Sequence, residues 1–266
     1  MARPHSVRHQ RGFTFIALTC FFLLYLPMAT MVVFAFNAGT TVGQLDGLSL
    51  RWFRAAWENE RIIDALLPSL TIAPIAAVIA TAVATMAALA TTRTAPYRGM
   101  SLKVAFINQP LMVPEIVTAV ALLVVFARIK VWTGYTGLGY LIAAHTAFCV
   151  PFAFLPIRAR LETMDLTLER AAADLYARPW PTFRHITLPL LWPGILAGVM
   201  LAFVVSLDDV VITEFIKSAG QETLPTYMLG QLRRNVTPEM NAISTVFLGV
   251  SIAVVSLFFL LSRKKT

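Results

Sequence analysis

Charge is scarce in this chain of 266 residues: Lys, Arg, Asp and Glu supply 14% of it, and hydrophobic residues supply 58%. A soluble domain carries about 25% charged residues, so a water-soluble fold is excluded at the outset. Cysteine is nearly absent too. Cys20 and Cys149 both fall inside apolar runs, where they read as small buried hydrophobes rather than a disulfide or a thiolate metal site. No G-x-x-x-x-G-K-[ST], H-E-x-x-H or C-x-x-C sequence occurs, no Ser/His/Asp order lies outside the apolar runs, and the four histidines are scattered. The chain is therefore expected to have no phosphate-cradling loop, metal site, cofactor or catalytic residues of its own. It also lacks a fixed-period repeat and a low-complexity linker.

What the sequence does have is six apolar runs, at about 13–36, 68–90, 102–126, 138–157, 190–213 and 241–261. Each is long enough to cross a hydrocarbon core of roughly 30 Å as a helix. The fold class expected is an all-α, polytopic membrane protein with six transmembrane helices, occupying 13–261 between termini at 1–12 and 262–266. The basic leader "RPHSVRHQRG" resembles the start of a secretory signal, but the run behind it is too long for an h-region and has no small-residue cleavage site. It is read as a retained anchor. Fourteen of the 22 Lys and Arg residues lie in the N-terminus, 91–103, 158–187 and the C-terminal "RKK", against eight in the three alternate loops. The positive-inside rule then places both termini in the cytoplasm. The net charge of +8 faces anionic lipid headgroups on this reading, and no nucleic-acid partner is implied.

Between the runs, the outer loop 37–67 carries Trp52, Ala56 and Trp57 at helical spacing, which predicts a short interfacial helix. In "QPLMVPEIV", Pro110 and Pro114 are expected to bend or break the third span just before Glu115. That carboxylate sits either in a solute pathway or at a helix end in contact with interfacial water. Gly194 and Gly198, in "GILAG", permit close helix approach and read as packing.

The longest cytoplasmic segment, 158–189, holds a helix that Thr167 can cap. Its residues Leu168, Ala172 and Leu175 form a narrow apolar stripe flanked by Glu169, Arg170 and Asp174. Pro179 and Pro181 are expected to turn the chain before a second short helix. Two short helices with one apolar stripe suit a docking knob; an amphipathic segment lying on lipid is the alternative.

The fifth span ends in "VVSLDDVVITEFI", where Asp208 and Asp209 are expected well inside the helix, about 100° apart, so that at most one points straight into a pathway. A carboxylate at bilayer depth costs roughly 2.5–3.5 kcal/mol and usually faces a bundle interior or a cavity. One Asp is expected to cap or salt-bridge a neighbouring span, and at least one to face a pathway. Acidic residues at membrane depth beside an amphipathic cytoplasmic loop suit a transport subunit. A cation- or proton-coupled secondary transporter or channel is the second reading, in which the pair binds protons or inorganic cations and no docking loop is needed.

The stretch "RAAADLYARPWPTFRHITLP" resembles the cytoplasmic EAA loop of ABC-importer permeases. "VPEIVTAVALLVVF", "HTAFCVPFAF", "SLDDVVITEFI" and "ETLPTYMLGQLRRNVTPEMNAIST" resemble the subfamily serving spermidine and putrescine, specifically its C-type permease subunit, and the likeness runs over most of the chain. It implies a type I (MetI-like) permease fold in a bacterial plasma (inner) membrane, importing a polyamine or a related small cationic solute. The implied partners are a homologous second permease subunit, an ABC ATPase dimer gripping the EAA loops, and an extracytoplasmic solute-binding protein. On this resemblance the coupling residues are Leu168, Glu169, Arg170, Ala171, Ala172, Asp174, Leu175 and Tyr176, and the pathway residues are Asp208, Asp209 and Glu115. Two departures stand out: the family's Glu falls on Arg170, with Glu169 one place earlier, and its Gly falls on Tyr176. A Tyr enters a left-handed turn only at a cost of roughly 1–2 kcal/mol, so either the turn is right-handed here or Ala177 and Arg178 absorb it.

Overall fold

A computed structural model describes residues 11–263 except 42, 96, 235 and 236. Most of the expected N-terminal segment (1–10) and C-terminal segment (264–266) lies outside the described residues. The rest is helical: α1 (Arg11–Ala35), α2 (Arg51–Glu58), α3 (Glu60–Thr92), α4 (Met100–Ile107), α5 (Gln109–Met112), α6 (Glu115–Thr133) and α7 (Gly139–Thr163). These are followed by α8 (Thr167–Asp174), α9 (Pro179–Thr182), a π-helical turn (Phe183–Thr187), α10 (Leu188–Asp208), α11 (Val211–Ile216), α12 (Leu224–Leu232) and α13 (Pro238–Arg263). Among the described residues, six helices are long and apolar enough to cross a membrane: Gly12–Ala35, Glu60–Thr92, Glu115–Thr133, Gly139–Thr163, Pro179–Asp208 and Pro238–Leu260.

The described residues form two compact units, one within 1–59 with 232–250, the other within 60–231 with 251–266. In the first, Asn37 organises the loop after α1. Its Oδ1 accepts from the Asp46 N–H at 2.8 Å and its Nδ2 donates to the Gln44 carbonyl at 2.6 Å. Helix α2 is the expected short helix of this loop, with Ala56 buried and Trp57 exposed.

The core of the second unit is α3, α7 and α10 packed together. Lipid tails are as apolar as leucine, so helices associate in a bilayer where small side chains let backbones approach. Helix α3 supplies such a stripe in Ala65, Ser69, Ala73, Ala77, Ala84 and Ala88, all buried. Gly194 and Gly198 do the same for α10: a Cβ on Gly194 would lie 2.7 Å from Arg160 Cβ, and one on Gly198 would lie 3.1 Å from the Ala153 carbonyl.

Four spans differ from their sequence boundaries, the fourth by running on to Thr163. The second begins at Glu60 and runs through Pro68 and Pro74, because membrane helices tolerate proline where neighbouring groups re-satisfy the freed carbonyls. The third starts at Glu115 and not at 102. Pro110 opens α5, and Pro114 holds Val113 extended (φ −97°, ψ 139°), which separates α5 from α6. The fifth ends at Asp208, five residues before the expected boundary, because Asp209 leaves the helix.

Candidate functional site

The acidic pair sits at a helix end and not within a helix. Asp208 is the last residue of α10, and Asp209 follows in an extended conformation (φ −64°, ψ 133°). The break sets the two carboxylates in different environments, a separation that the expected 100° step along a helix does not describe. Asp208 is exposed on this chain, while Asp209 is 6% exposed.

Asp209 folds back over the first turn of α11. Its Oδ1 accepts from Ile212 N–H at 3.2 Å, and its Oδ2 accepts from Thr213 N–H at 2.9 Å and from the Thr213 hydroxyl at 2.7 Å. These are donors that a helix start leaves without partners, and a carboxylate is also the right charge for the positive end of the helix dipole. Thr213 Oγ1 lies 3.0 Å from His145 Nε2, and His145 Nδ1 lies 2.8 Å from Ser206 Oγ. The imidazole, buried on α7, thus links α10 to α11 through two hydroxyls. The four histidines are scattered along the sequence, and the local signal for this one is its place among apolar residues, where a polar ring needs partners. Glu115, half-buried as the first residue of α6, faces the Asp209 carboxyl. Helix α6 and α11 pack against each other, and Lys130 near the other end of α6 donates to the Ile216 carbonyl at 3.1 Å and to Ser218 Oγ at 2.8 Å. Asp209 and Glu115 are therefore brought together at the start of one short helix, with Asp208 one residue before Asp209 at the end of α10. Among the described residues no His, Cys, Asp and Glu group has metal-binding geometry.

The loop 158–189 is built differently from its sequence expectation. Thr167 does not cap α8; the Asp165 carboxylate accepts from the Thr167 N–H at 2.9 Å and from its hydroxyl at 2.6 Å. Those bonds hold the Asp165 carboxyl below the usual carboxylate range. Of the apolar stripe, Leu168 and Leu175 are exposed, but Ala172 is buried at 7% exposure and so lies off the outer surface. Ala171, Arg170 and Asp174 are exposed, and Glu169 is turned inward to Arg93.

The turn after α8 is left-handed, and Tyr176 itself carries it at φ 57°. Neither expectation for this turn holds. Tyr176 N–H donates to the Ala173 carbonyl and Ala177 N–H to the Ala172 carbonyl, both at 2.9 Å, the paired bonds of a Schellman ending. These bonds offset the left-handed cost and leave the tyrosine ring 95% exposed. Pro179 holds Arg178 extended (φ −67°, ψ 152°), so the break before the second short helix falls ahead of the prolines and not at them. They sit in the first turn of α9, where no amide donor is required, and the helix continues through the π turn into α10.

Residues 101–264 match the family of binding-protein-dependent transport system inner membrane components. The chain is 36% identical over 237 residues to the putrescine transport system permease protein PotI of Escherichia coli (strain K12), covering 88% of this chain and 84% of that one. It is 35% identical over 241 residues to the spermidine/putrescine transport system permease protein PotC of Haemophilus influenzae, covering 91% and 92%. Among solved structures, a chain of a bacterial alginate ABC transporter bound to a periplasmic protein superposes with a TM-score of 0.74 at 16% identity, over 95% of this chain and 93% of that one. A chain of the MetNI methionine ABC transporter does so at 0.65 and 16% identity, over 80% and 98%. At these identities the two structures establish the fold.

Proposed function

The chain belongs to the family of binding-protein-dependent transport system inner membrane components, and on that premise we propose that it conducts putrescine, spermidine or a related small polycation. It is a multi-pass inner-membrane permease subunit of an ABC importer, with ATP hydrolysed by a partner ATPase and solute delivered by a binding protein. The polyamine reading is carried by one observation: identity of 35–36% to PotI and PotC over about 90% of the chain. Family membership removes the basis for the secondary transporter or channel.

Exposed Asp208 is the pathway carboxylate in this proposal. A polyamine carries several ammonium groups, and an exposed carboxylate at a helix end offsets their loss of water. Asp209 and Glu115 add negative potential behind it, and Asp209 also holds α11 in place. Leu168, Arg170, Ala171, Asp174, Leu175 and Tyr176 form the surface offered to the ATPase. The finer assembly proposed is a homologous second permease subunit beside this one, two ATPase subunits below, and both termini in the cytoplasm, as the basic residues favour.

The test is reconstitution of the permease with its ATPase and binding protein in liposomes, followed by measurement of ATP hydrolysis. Putrescine or spermidine should stimulate hydrolysis and enter the lumen. Stimulation by an uncharged or anionic solute with none by either polyamine would overturn the reading.

A further inference from the structure

Glu169 is the third residue of α8, a position from which a carboxylate ordinarily reaches back to the start of its own helix. Asp165 already bonds the first turn there, and Glu169 points elsewhere. Its Oε2 lies 3.0 Å from Arg93 Nε, and its Oε1 accepts from the Thr187 hydroxyl at 3.0 Å. Arg93 Nη1 donates in turn to the Leu161 carbonyl at 3.1 Å. Arg93 directly follows α3, Leu161 lies in the last turn of α7, and Thr187 ends the π turn that leads into α10. One ion pair therefore fastens the loop helix to the cytoplasmic ends of all three core helices.

Both side chains of the pair are 19% exposed, against 36% and 53% for the i,i+4 pair Arg158–Glu162. Solvent-exposed pairs contribute little, whereas a largely enclosed one leaves a desolvated charge behind if its partner is removed. Cavities of about 330 and 540 Å³ are each lined by both Arg93 and Glu169. Space beside the pair leaves the ion pair, more than close packing, to hold α8 against α3.

We propose that the Arg93–Glu169 pair is the strap through which α8 moves α3, α7 and α10, so that both are positioning residues for coupling ATP hydrolysis to access. This rests on the permease reading and adds the residues that transmit the motion. A docking helix moved from below transmits displacement only if it and the core helices have two discrete arrangements and shift together.

The experiment uses the reconstituted complex. In a chain with Cys20 and Cys149 replaced by Ala, Asp208→Cys is labelled with a small cationic thiol reagent, with and without ATP and vanadate. With Asp208 intact, putrescine uptake per ATP hydrolysed is measured. Glu169→Gln and Arg93→Gln should each reduce the ATP-dependent change in labelling and the uptake per ATP by about tenfold. ATPase recovery and hydrolysis should stay within about twofold of wild type, and Arg93→Glu with Glu169→Arg should regain about a third of the wild-type coupling. Unchanged coupling in the single variants would overturn the strap, as would loss of ATPase recovery in parallel with transport, or a swapped pair no better than the singles. If the wild-type complex moves on ATP but takes up no polyamine, only the solute reading fails, and the strap is judged on labelling alone.

Discussion

Asp209 Oδ2 lies 3.4 Å from His145 Nε2, with side-chain exposures of 1% and 2%. The two residues are 64 positions apart, and their contact joins α7 to the chain break that ends α10. Asp208, one residue away from Asp209, is exposed. Adjacent, chemically identical side chains thus stand in different environments.

Asp209→Ala should destabilise the permease by about 2–4 kcal/mol, because the Ile212 and Thr213 amides lose their acceptor in a buried site. Thermal unfolding in detergent should show a clear drop. Asp208→Asn should leave unfolding unchanged and lower polyamine uptake by a free energy of roughly 1.5–3 kcal/mol, the range for a hydrogen bond to a charged group. Equal effects of the two variants on stability would refute the division of roles.

Gly194→Ala tests the packing of α10 on α7. The added methyl would meet Arg160 Cβ at 2.7 Å, an atom too near the backbone to swing aside. The helices must separate, at a cost of about 1–3 kcal/mol. Normal stability in the same unfolding assay would show that α10 is held by other contacts.

Leu175 is 81% exposed and Tyr176 95% exposed, so Leu175→Asp should not alter the isolated permease. It should bury an unpaired charge in the ATPase contact and cut recovery of the ATPase on pull-down. Tyr176→Gly should stabilise the isolated chain by about 1 kcal/mol through relief of the left-handed backbone, while also lowering ATPase recovery. Full recovery in both variants would assign this loop surface to lipid.

Orientation is checked by thiol labelling in intact cells, in a chain with Cys20 and Cys149 replaced. A cysteine at Arg178 should resist a membrane-impermeant reagent and one at Ala219 should react. Gly220 is avoided because its φ of +78° strains any side chain. The reverse pattern would invert the topology.

The number of spans, the helical class and the break before Glu115 follow from composition and from proline. These are local properties: an apolar run must hydrogen-bond its own backbone in lipid, and Pro114 restrains Val113 wherever the chain is. The environments of Asp208 and Asp209 are not local. From sequence they are equivalent, and only the approach of His145 on α7, together with the chain break that turns one carboxylate onto α11, separates them. Glu169 is a similar case. Its spacing fits an outward docking face, but Arg93 lies 76 positions earlier, and its guanidinium draws the carboxylate inward. Tyr176 shows the limit from the other side, since intrinsic preference argued against a left-handed turn there. The two Schellman hydrogen bonds, which form only once α8 exists and ends at that point, outweigh a preference of roughly 1–2 kcal/mol. Periodicity and residue type set where helices run, and contacts between residues distant in sequence decide which way their polar side chains face.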